Sequence, residues 1–307
     1  MIGRIVEIAT NNRYLGLDRG FMVVKSADEE VGRVPLDDLA AVIIAAHGIT
    51  HSSNLLVALA ERGVPFVLTA ANMQPVAMLW SVDGNYQQAG RMEAQLGASL
   101  PQNKRLWQQV VRSKLQMQAV VLESVGVPSA PLSALVSKVR SGDPENYEAQ
   151  GARRYWVLLF GDTFRRDRQQ EGINTLLNYG YTVLRAATAR AVIAAGLHPS
   201  VGLHHSNTQN AMRLVDDLME PFRPLIDLQV HACWRAGDIA LDRETKKRLA
   251  DVMYLDMPSP QGITPVMGAV QRLCTSLAQL YLGERKELEL PLCPTPIDLA
   301  AMFVPLA

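Results

Sequence analysis

The chain has 307 residues and a mass of 33.7 kDa, with 48% apolar and 20% charged residues. That composition belongs to a folded protein of one large domain or two ordinary ones, and it excludes a disordered tail. Thirty basic side chains balance thirty acidic ones, yet unevenly: seven against ten over residues 1–99, eleven against six over 100–170, and twelve against fourteen thereafter.

Arginine outnumbers lysine 23 to 7. A planar guanidinium suits phosphate, although a GC-rich coding sequence produces the same bias. The longest apolar-leaning stretch, Val64 to Trp80, is broken by Pro65, Asn72, Gln74 and Pro75, so no membrane helix is expected. Cys233, Cys274 and Cys293 have no C-x-x-C spacing, and M-I-G-R-I-V-E-I lacks a basic start followed by a long apolar run. A cytoplasmic protein is the expectation.

In chain order, strand signals cover Ile5–Ile8, then Tyr14–Leu17 and Phe21–Lys25 about an Asp18-Arg19-Gly20 turn, then Ala40–Ala45. A helix follows over Ser52–Arg62, then strands Pro65–Thr69 and Val76–Val82 around an Asn72–Pro75 turn. After Asp83-Gly84-Asn85 the hydrophobic period changes from two to near 3.6. Helices are predicted over 86–97, 102–125, 131–140, 144–160, 173–195, 208–219, 222–235, 242–253 and 263–283. The expected fold class is therefore α+β: a small β-rich domain over 1–83, sheet or sandwich with one helix, and a larger all-helical domain over 84–307.

The chain has no G-x-x-x-x-G-K, G-x-G-x-x-G, H-E-x-x-H, E-x-x-H or G-x-S-x-G motif, so nucleotide, zinc and acyl-transfer readings start unsupported. His47 and His51 have metal-like i, i+4 spacing, but Gly48 lies between them at a strand-to-helix handover, which favours packing or capping. His198, before Pro199, and His231, on a mostly apolar helix, read as structural. His204 and His205 sit in the polar loop G-L-H-H-S-N, where a scaffold can present an imidazole.

Downstream, D-D-L-M-E-P-F-R-P places Asp216, Asp217 and Glu220 on one helix face against their mutual repulsion. A solvated acidic face is the simpler account of this segment taken alone, but Pro221 disfavours α geometry at Glu220 and suggests a kink or junction. The third element is P-E-N-Y-E-A-Q-G-A-R-R-Y-W, residues 144–156. Here Gly151, Ala152 and Tyr155 fall beside Glu148 on a helical wheel, so small residues leave room for a ligand. Two carboxylates and an imidazole from separate helices suit a divalent metal, and the following arginines suit a phosphate. Glu and Arg pairing as surface ions is the alternative.

The run L-N-Y-G-Y-T-V-L-R-A-A-T-A-R-A-V-I-A-A-G-L-H-P-S-V-G-L-H-H, followed by D-D-L-M-E-P-F-R-P-L-I-D, resembles the integrase of CRISPR spacer acquisition, the larger of the two universal adaptation proteins. E-A-Q-G-A-R-R-Y is similar to the family's E-x-x-A-A-R-x-Y, with Gly151 in place of the commoner Ala. The wording around H-H and E-P-F-R-P is most similar to members from type II systems. The resemblance implies that Glu148, His205 and Glu220 hold a catalytic Mg2+ or Mn2+, with Asp217, His204 and Tyr155 as support. It implies an endonuclease and integrase that joins prespacer DNA to the CRISPR array, with repeat and leader as DNA partners, by attack of a 3′-hydroxyl on a phosphodiester at the repeat border. It further implies a homodimer through the β-rich domains and a heterohexamer with a small ferredoxin-like partner.

The basic segment supplies candidate phosphate contacts: Lys104, Arg105, Arg112, Lys114, Arg153, Arg154, Arg165, Arg166 and Arg168. A stand-alone metal nuclease would use the same ligands with water, and a non-catalytic DNA-binding scaffold would keep the basic segment without needing them.

Overall fold

The computed structural model describes residues 3–70, 75–82 and 84–303. Segments rich in β-branched and aromatic residues pair as strands: β1 (Arg4–Ile8), β2 (Tyr14–Asp18), β3 (Phe21–Ser26), β4 (Glu29–Pro35), β5 (Leu39–Ile44) and β6 (Thr50–His51). Helix α1 (Ser53–Glu61), β7 (Phe66–Thr69) and β8 (Pro75–Leu79) complete this part. One sheet has the order β1-β5-β7-β8, parallel until β8 closes it antiparallel, and the other has the order β4-β3-β2-β6. Strand β5, L-A-A-V-I-I, is buried along its whole length, as a central parallel strand should be. The Asp18-Arg19-Gly20 turn works because Arg19 and Gly20 take φ of 46° and 85°. Strand β4, with Glu29, Glu30 and Arg33, carries no apolar alternation; it is an edge strand held by its pairing to β3. Ser52 accepts the Leu55 amide and caps α1.

The chain then runs through α2 (Gln88–Leu96), α3 (Leu100–Ser124), α4 (Ala130–Val136), α5 (Tyr147–Phe160), α6 (Ile173–Ala194), α7 (Arg213–Met219), α8 (Arg223–Ala236) and α9 (Arg243–Asp251). Two short strands, β9 (Asp256–Ser259) and β10 (Gly262–Pro265), precede α10 (Val266–Tyr281) and α11 (Pro296–Met302). The second part is thus mainly but not wholly helical: the helix expected over 263–283 begins only at Val266. Before it the chain pairs as a β9/β10 hairpin, because Pro265 lacks an amide to extend the helix backwards and Gly262 takes φ of 114° at the turn. The expected turn at 72–75 and the one at 83–85 fall partly outside the described residues. The fold class is α+β, a β-rich beginning followed by a larger helical part.

Helix α6 is buried nearly all round, and Gly180 on it packs directly against Ile226 of α8. One apolar cluster joins Ala41, Ile43 and Val67 of the first sheet to α3, α6, α8 and α10; a smaller one, around Leu15, Met22, Leu55 and Phe66, lies between the sheets and α1. Polar ties add direction to this packing. Glu7 on β1 accepts the Tyr179 hydroxyl at 3.0 Å and pairs with Lys246 at 2.6 Å. The Tyr254 hydroxyl accepts the Ile5 amide at 2.9 Å.

Candidate active site

Helix α5 begins where Asn146, at φ 55°, turns the chain and its side chain accepts the Ala149 amide. The Asp143 carboxylate accepts the amides of Tyr147 and Glu148, each at 2.9 Å. Glu148 therefore stands in the first turn, where the positive helix end favours a carboxylate. Gly151 does not provide the ligand space expected of it. A Cβ there would run into Leu115 of α3, so the glycine serves a close approach of the two helices, while Ala152 lines the site cavity.

That approach sets Glu148 beside Lys114, the residue preceding Leu115. Lys114 is buried, and its ammonium pairs with Glu148 Oε1 and, at 2.5 Å, with Glu220 Oε2. The second Glu220 oxygen pairs with Arg223 Nε at 2.8 Å. Glu220 opens the 3-10 turn Glu220–Phe222 between α7 and α8; contrary to expectation it keeps helical angles, φ −54° and ψ −42°, before Pro221, so the junction tightens the helix without leaving α geometry at Glu220. Burial alone would raise the Glu220 pKa, but the Arg223 and Lys114 charges outweigh it and hold the carboxyl below its ordinary value. Burial likewise opposes the Lys114 charge, and Glu220 and Glu148 outweigh it, raising that pKa.

The histidine loop is organised by Asp217, which is fully buried on α7. Its Oδ2 accepts the amides of Leu203 at 2.6 Å and His204 at 3.1 Å, and its Oδ1 engages His205 Nδ1. Gly202 permits this closeness, since a Cβ there would lie 2.8 Å from Asp217 Oδ2 and 2.9 Å from the Arg213 Cβ. The His204 ring stacks in parallel on Trp107 of α3 at 4.6 Å, and His205 meets the same indole edge-on. With Nδ1 committed to a carboxylate, Nε2 is the His205 nitrogen left for a ligand. The Asp217 hydrogen bond raises the His205 pKa against burial.

The acidic face expected from Asp216, Asp217 and Glu220 is not a solvated one. Each acid has its own partner: Asp217 the histidine loop, Glu220 Lys114 and Arg223, and Asp216 a two-pronged pair with Arg185 at 2.8 and 2.9 Å. Glu148, His205 and Glu220 line one cavity of about 560 Å³, together with Lys114, Arg166, Arg168, Arg185, Tyr181, Arg223 and Asp227. Burial pushes the Asp227 carboxyl up to about 7, although it accepts the Tyr181 hydroxyl and sits near Arg223. Tyr155, wholly buried, faces Asp227, and burial raises its phenol well above the ordinary value.

Among the described residues, no three His, Cys, Asp or Glu side chains already form a shell around a metal ion. The Lys114 ammonium, itself a cation, stands between Glu148 and Glu220. Two carboxylates that share one cation and an imidazole on the same cavity wall are oxygen and nitrogen donors of the kinds that Mg2+ and Mn2+ take.

The basic residues separate into groups. Lys104, Arg105, Arg153, Arg154, Arg165 and Arg168 are exposed. Arg154 donates to Pro131 O at 3.0 Å, and Arg165 donates to its own loop carbonyls. Half-buried Arg112 donates to Val139 O, and Arg166 is fixed by Asn174 and Asn178 at 2.9 and 2.8 Å. Lys114 stands at the carboxylates, inside the protein. Its role, and those of Arg185, Arg223, Tyr181 and Asp227, were missed from sequence. Arg223 had a local signal, three residues after Glu220 on the same side; Lys114 had none. His47 and His51 are not on a helix: His51 is in β6 with its ring against Phe66, and His231 packs against Phe160 and Trp234.

A β-rich entry leads into a helical body with a cavity where acids, an imidazole and arginines converge. The family described as CRISPR associated protein Cas1 matches residues 6–257, and the chain belongs to this family. It is 33% identical over 286 residues to the CRISPR-associated endonuclease Cas1 of Neisseria meningitidis serogroup C, covering 92% of this chain and 93% of that protein. It is 31% identical over 261 residues to a CRISPR-associated endonuclease Cas1 of Pyrobaculum aerophilum, covering 77% and 85%. Similar folds occur in a casposase bound to integration product, with TM-score 0.78, 16% identity and 94% and 93% coverage. A Cas1 protein from Thermotoga maritima gives TM-score 0.74 at 14% identity, with 92% and 98% coverage. A chain of a Cas6-RT-Cas1–Cas2 complex gives 0.73 at 17%, covering 94% of this chain and 36% of that one. No described helix is long and apolar enough to cross a membrane.

Proposed function

We propose that this protein is a metal-dependent DNA integrase of CRISPR adaptation, which joins prespacer DNA to the repeat by transesterification. The observation that carries this reading is the sharing of one cation, Lys114, by Glu148 and Glu220 on the wall of a cavity that also presents His205 and several arginines. Bound between these ligands, Mg2+ or Mn2+ would supply Lewis acidity at the scissile phosphodiester.

The chain's own groups do the rest. Asp217 keeps His205 Nδ1 engaged, so that Nε2 is available when the ring is neutral. Arg168 and Arg166, lining the cavity, bind and orient the DNA backbone, and Arg223 keeps Glu220 ionised. Tyr181, which lines the cavity, gives its hydroxyl to Asp227 and its phenol is pushed well up by burial, which makes it a poor nucleophile and is in keeping with direct attack by a 3′-hydroxyl. A homodimer formed through the β-rich part, joined to a small ferredoxin-like partner as a heterohexamer, belongs to the same proposal; the fold likeness to a chain of a Cas6-RT-Cas1–Cas2 complex supports the partner, not the stoichiometry.

The test is joining of a labelled prespacer to a supercoiled plasmid carrying a repeat, with the partner and Mg2+ or Mn2+ present. Glu148→Gln and His205→Ala should each lose joined product by orders of magnitude. Full joining by both variants would favour the scaffold reading, and plasmid nicking without joining would favour the hydrolytic nuclease.

A further inference from the structure

Lys114 lies on a stretch of α3 that is otherwise built for packing: Val110, Val111, Leu115 and Met117 around it are fully buried. A buried ammonium is costly unless paired, and a leucine or methionine would suit the apolar surroundings. The charge is retained at the one point where it touches both Glu148 and Glu220. Together with Arg223 it closes a quartet of two cations and two carboxylates whose formal charge is zero.

A neutral quartet is a poor receptor for a divalent cation. Entry of the ion adds two positive charges to a quartet that is already neutral, in a cavity whose walls also carry Arg166, Arg168 and Arg185, with Asp216 balancing the last and Asp227 the one further carboxyl among the lining residues. The missing negative charge has an obvious source in a DNA-processing cavity, the phosphodiester itself. Lysine is the side chain suited to change partners here, because its ammonium has three donors on a flexible four-carbon stem.

Resting on the reading of Glu148, His205 and Glu220 as metal ligands, we propose that Lys114 couples metal binding to DNA binding. In the free protein its ammonium holds the two carboxylates. When a phosphodiester enters, the ammonium moves to the phosphate and releases the carboxylates to the ion. Lys114 is then a positioning residue that delays loading of the site until DNA is present. By linkage, metal must tighten DNA binding by the factor by which DNA tightens metal binding.

The experiment is titration of Mn2+ followed by calorimetry and by the electron paramagnetic resonance of free Mn2+, with and without a saturating short DNA duplex. It uses the full-length wild-type chain and Lys114→Met, Lys114→Gln, Glu148→Gln and Glu220→Gln. Wild type should bind Mn2+ at least about tenfold more tightly with DNA than without, within the usual span of coupling between sites. Lys114→Met should bind Mn2+ more tightly than wild type in the absence of DNA, and most of the coupling should vanish; Lys114→Gln serves if the Met variant does not fold. Equal wild-type affinity with and without DNA overturns the proposal, as does weaker DNA-free Mn2+ binding on loss of the lysine charge. The wild-type comparison requires no substitution and stands alone. The ligand reading has its own outcome: Mn2+ binding untouched by Glu148→Gln and Glu220→Gln overturns that reading and the coupling with it. Binding lost in those variants but uncoupled in wild type overturns the coupling only.

Discussion

Asp217 and His205 form a carboxylate–imidazole pair in which one partner is fully buried and the other reaches the cavity. The hydrogen bond raises the His205 pKa above 6.5. Its contribution to stability is therefore complete below about pH 6.5, the unfolded value, and is lost as pH rises through the folded value. Metal binding has the opposite slope, because only the neutral ring coordinates, so Mn2+ affinity should climb over the same interval. Asp217→Asn should move the His205 titration, followed by NMR of the ring nitrogens, to lower pH. An unchanged titration would mean that the pair does not control the imidazole.

Glu220→Ala and Glu220→Gln should differ. Both remove a carboxylate that the proposed metal requires. The alanine variant also takes from Arg223 its carboxylate partner and leaves Lys114 with Glu148 alone, and breaking a buried pair from one side costs about 3–5 kcal/mol. The glutamine retains the volume and an acceptor oxygen. Thermal unfolding should place Glu220→Ala well below Glu220→Gln, with strand joining lost in both. Equal melting temperatures would show that the quartet is not a unit.

Asp227 offers a separate pH signature. Its folded value of about 7 exceeds the ordinary 3.8, so the folded state holds a proton there that the unfolded state has released. Stability should fall as pH rises between these values and level off above about 7. Asp227→Asn, which can still accept the Tyr181 hydroxyl, should flatten this slope in denaturant titrations and raise the melting temperature at pH 8. A slope that survives the substitution would assign it to another group.

Arginines with and without internal partners should behave differently towards DNA. Exposed Arg168 lines the cavity, whereas Arg166 is held by Asn174 and Asn178. Arg168→Ala should lower duplex affinity and flatten the log–log salt dependence by about 0.9 with little change in melting temperature. Arg166→Ala should lower the melting temperature as well. Identical salt slopes for wild type and Arg168→Ala would move the DNA track elsewhere.

What the sequence made legible was whatever depends on nearby residues. The break in period near residue 84 gave the β-rich and helical parts, Pro221 gave the junction at Glu220, and the polar loop gave His205. What it hid depends on distance or on the absence of a signal. Strand β4 exists through its ladder with β3, and the β9/β10 hairpin lies at the front of a stretch whose apolar residues continue into α10. Lys114 is 34 residues from Glu148 and 106 from Glu220, and nothing in Q-V-V-R-S-K-L-Q-M-Q distinguishes it from a surface lysine. Gly151 was read as room for a ligand because a helical wheel shows which residues share a face but not which helix lies against it.

Helix α3 carries both halves of the site in phase. Trp107, beneath His204, and Lys114, between the two glutamates, are seven residues apart, close to two helical turns and roughly 10 Å. Leu115, against Gly151, fixes the angular setting of the helix about its own axis. Deleting a single residue between Trp107 and Lys114 would turn one half by about 100° relative to the other, so the imidazole platform and the carboxylate clasp would no longer face the same opening. A substitution within this segment leaves that phase intact, whereas a change in its length does not.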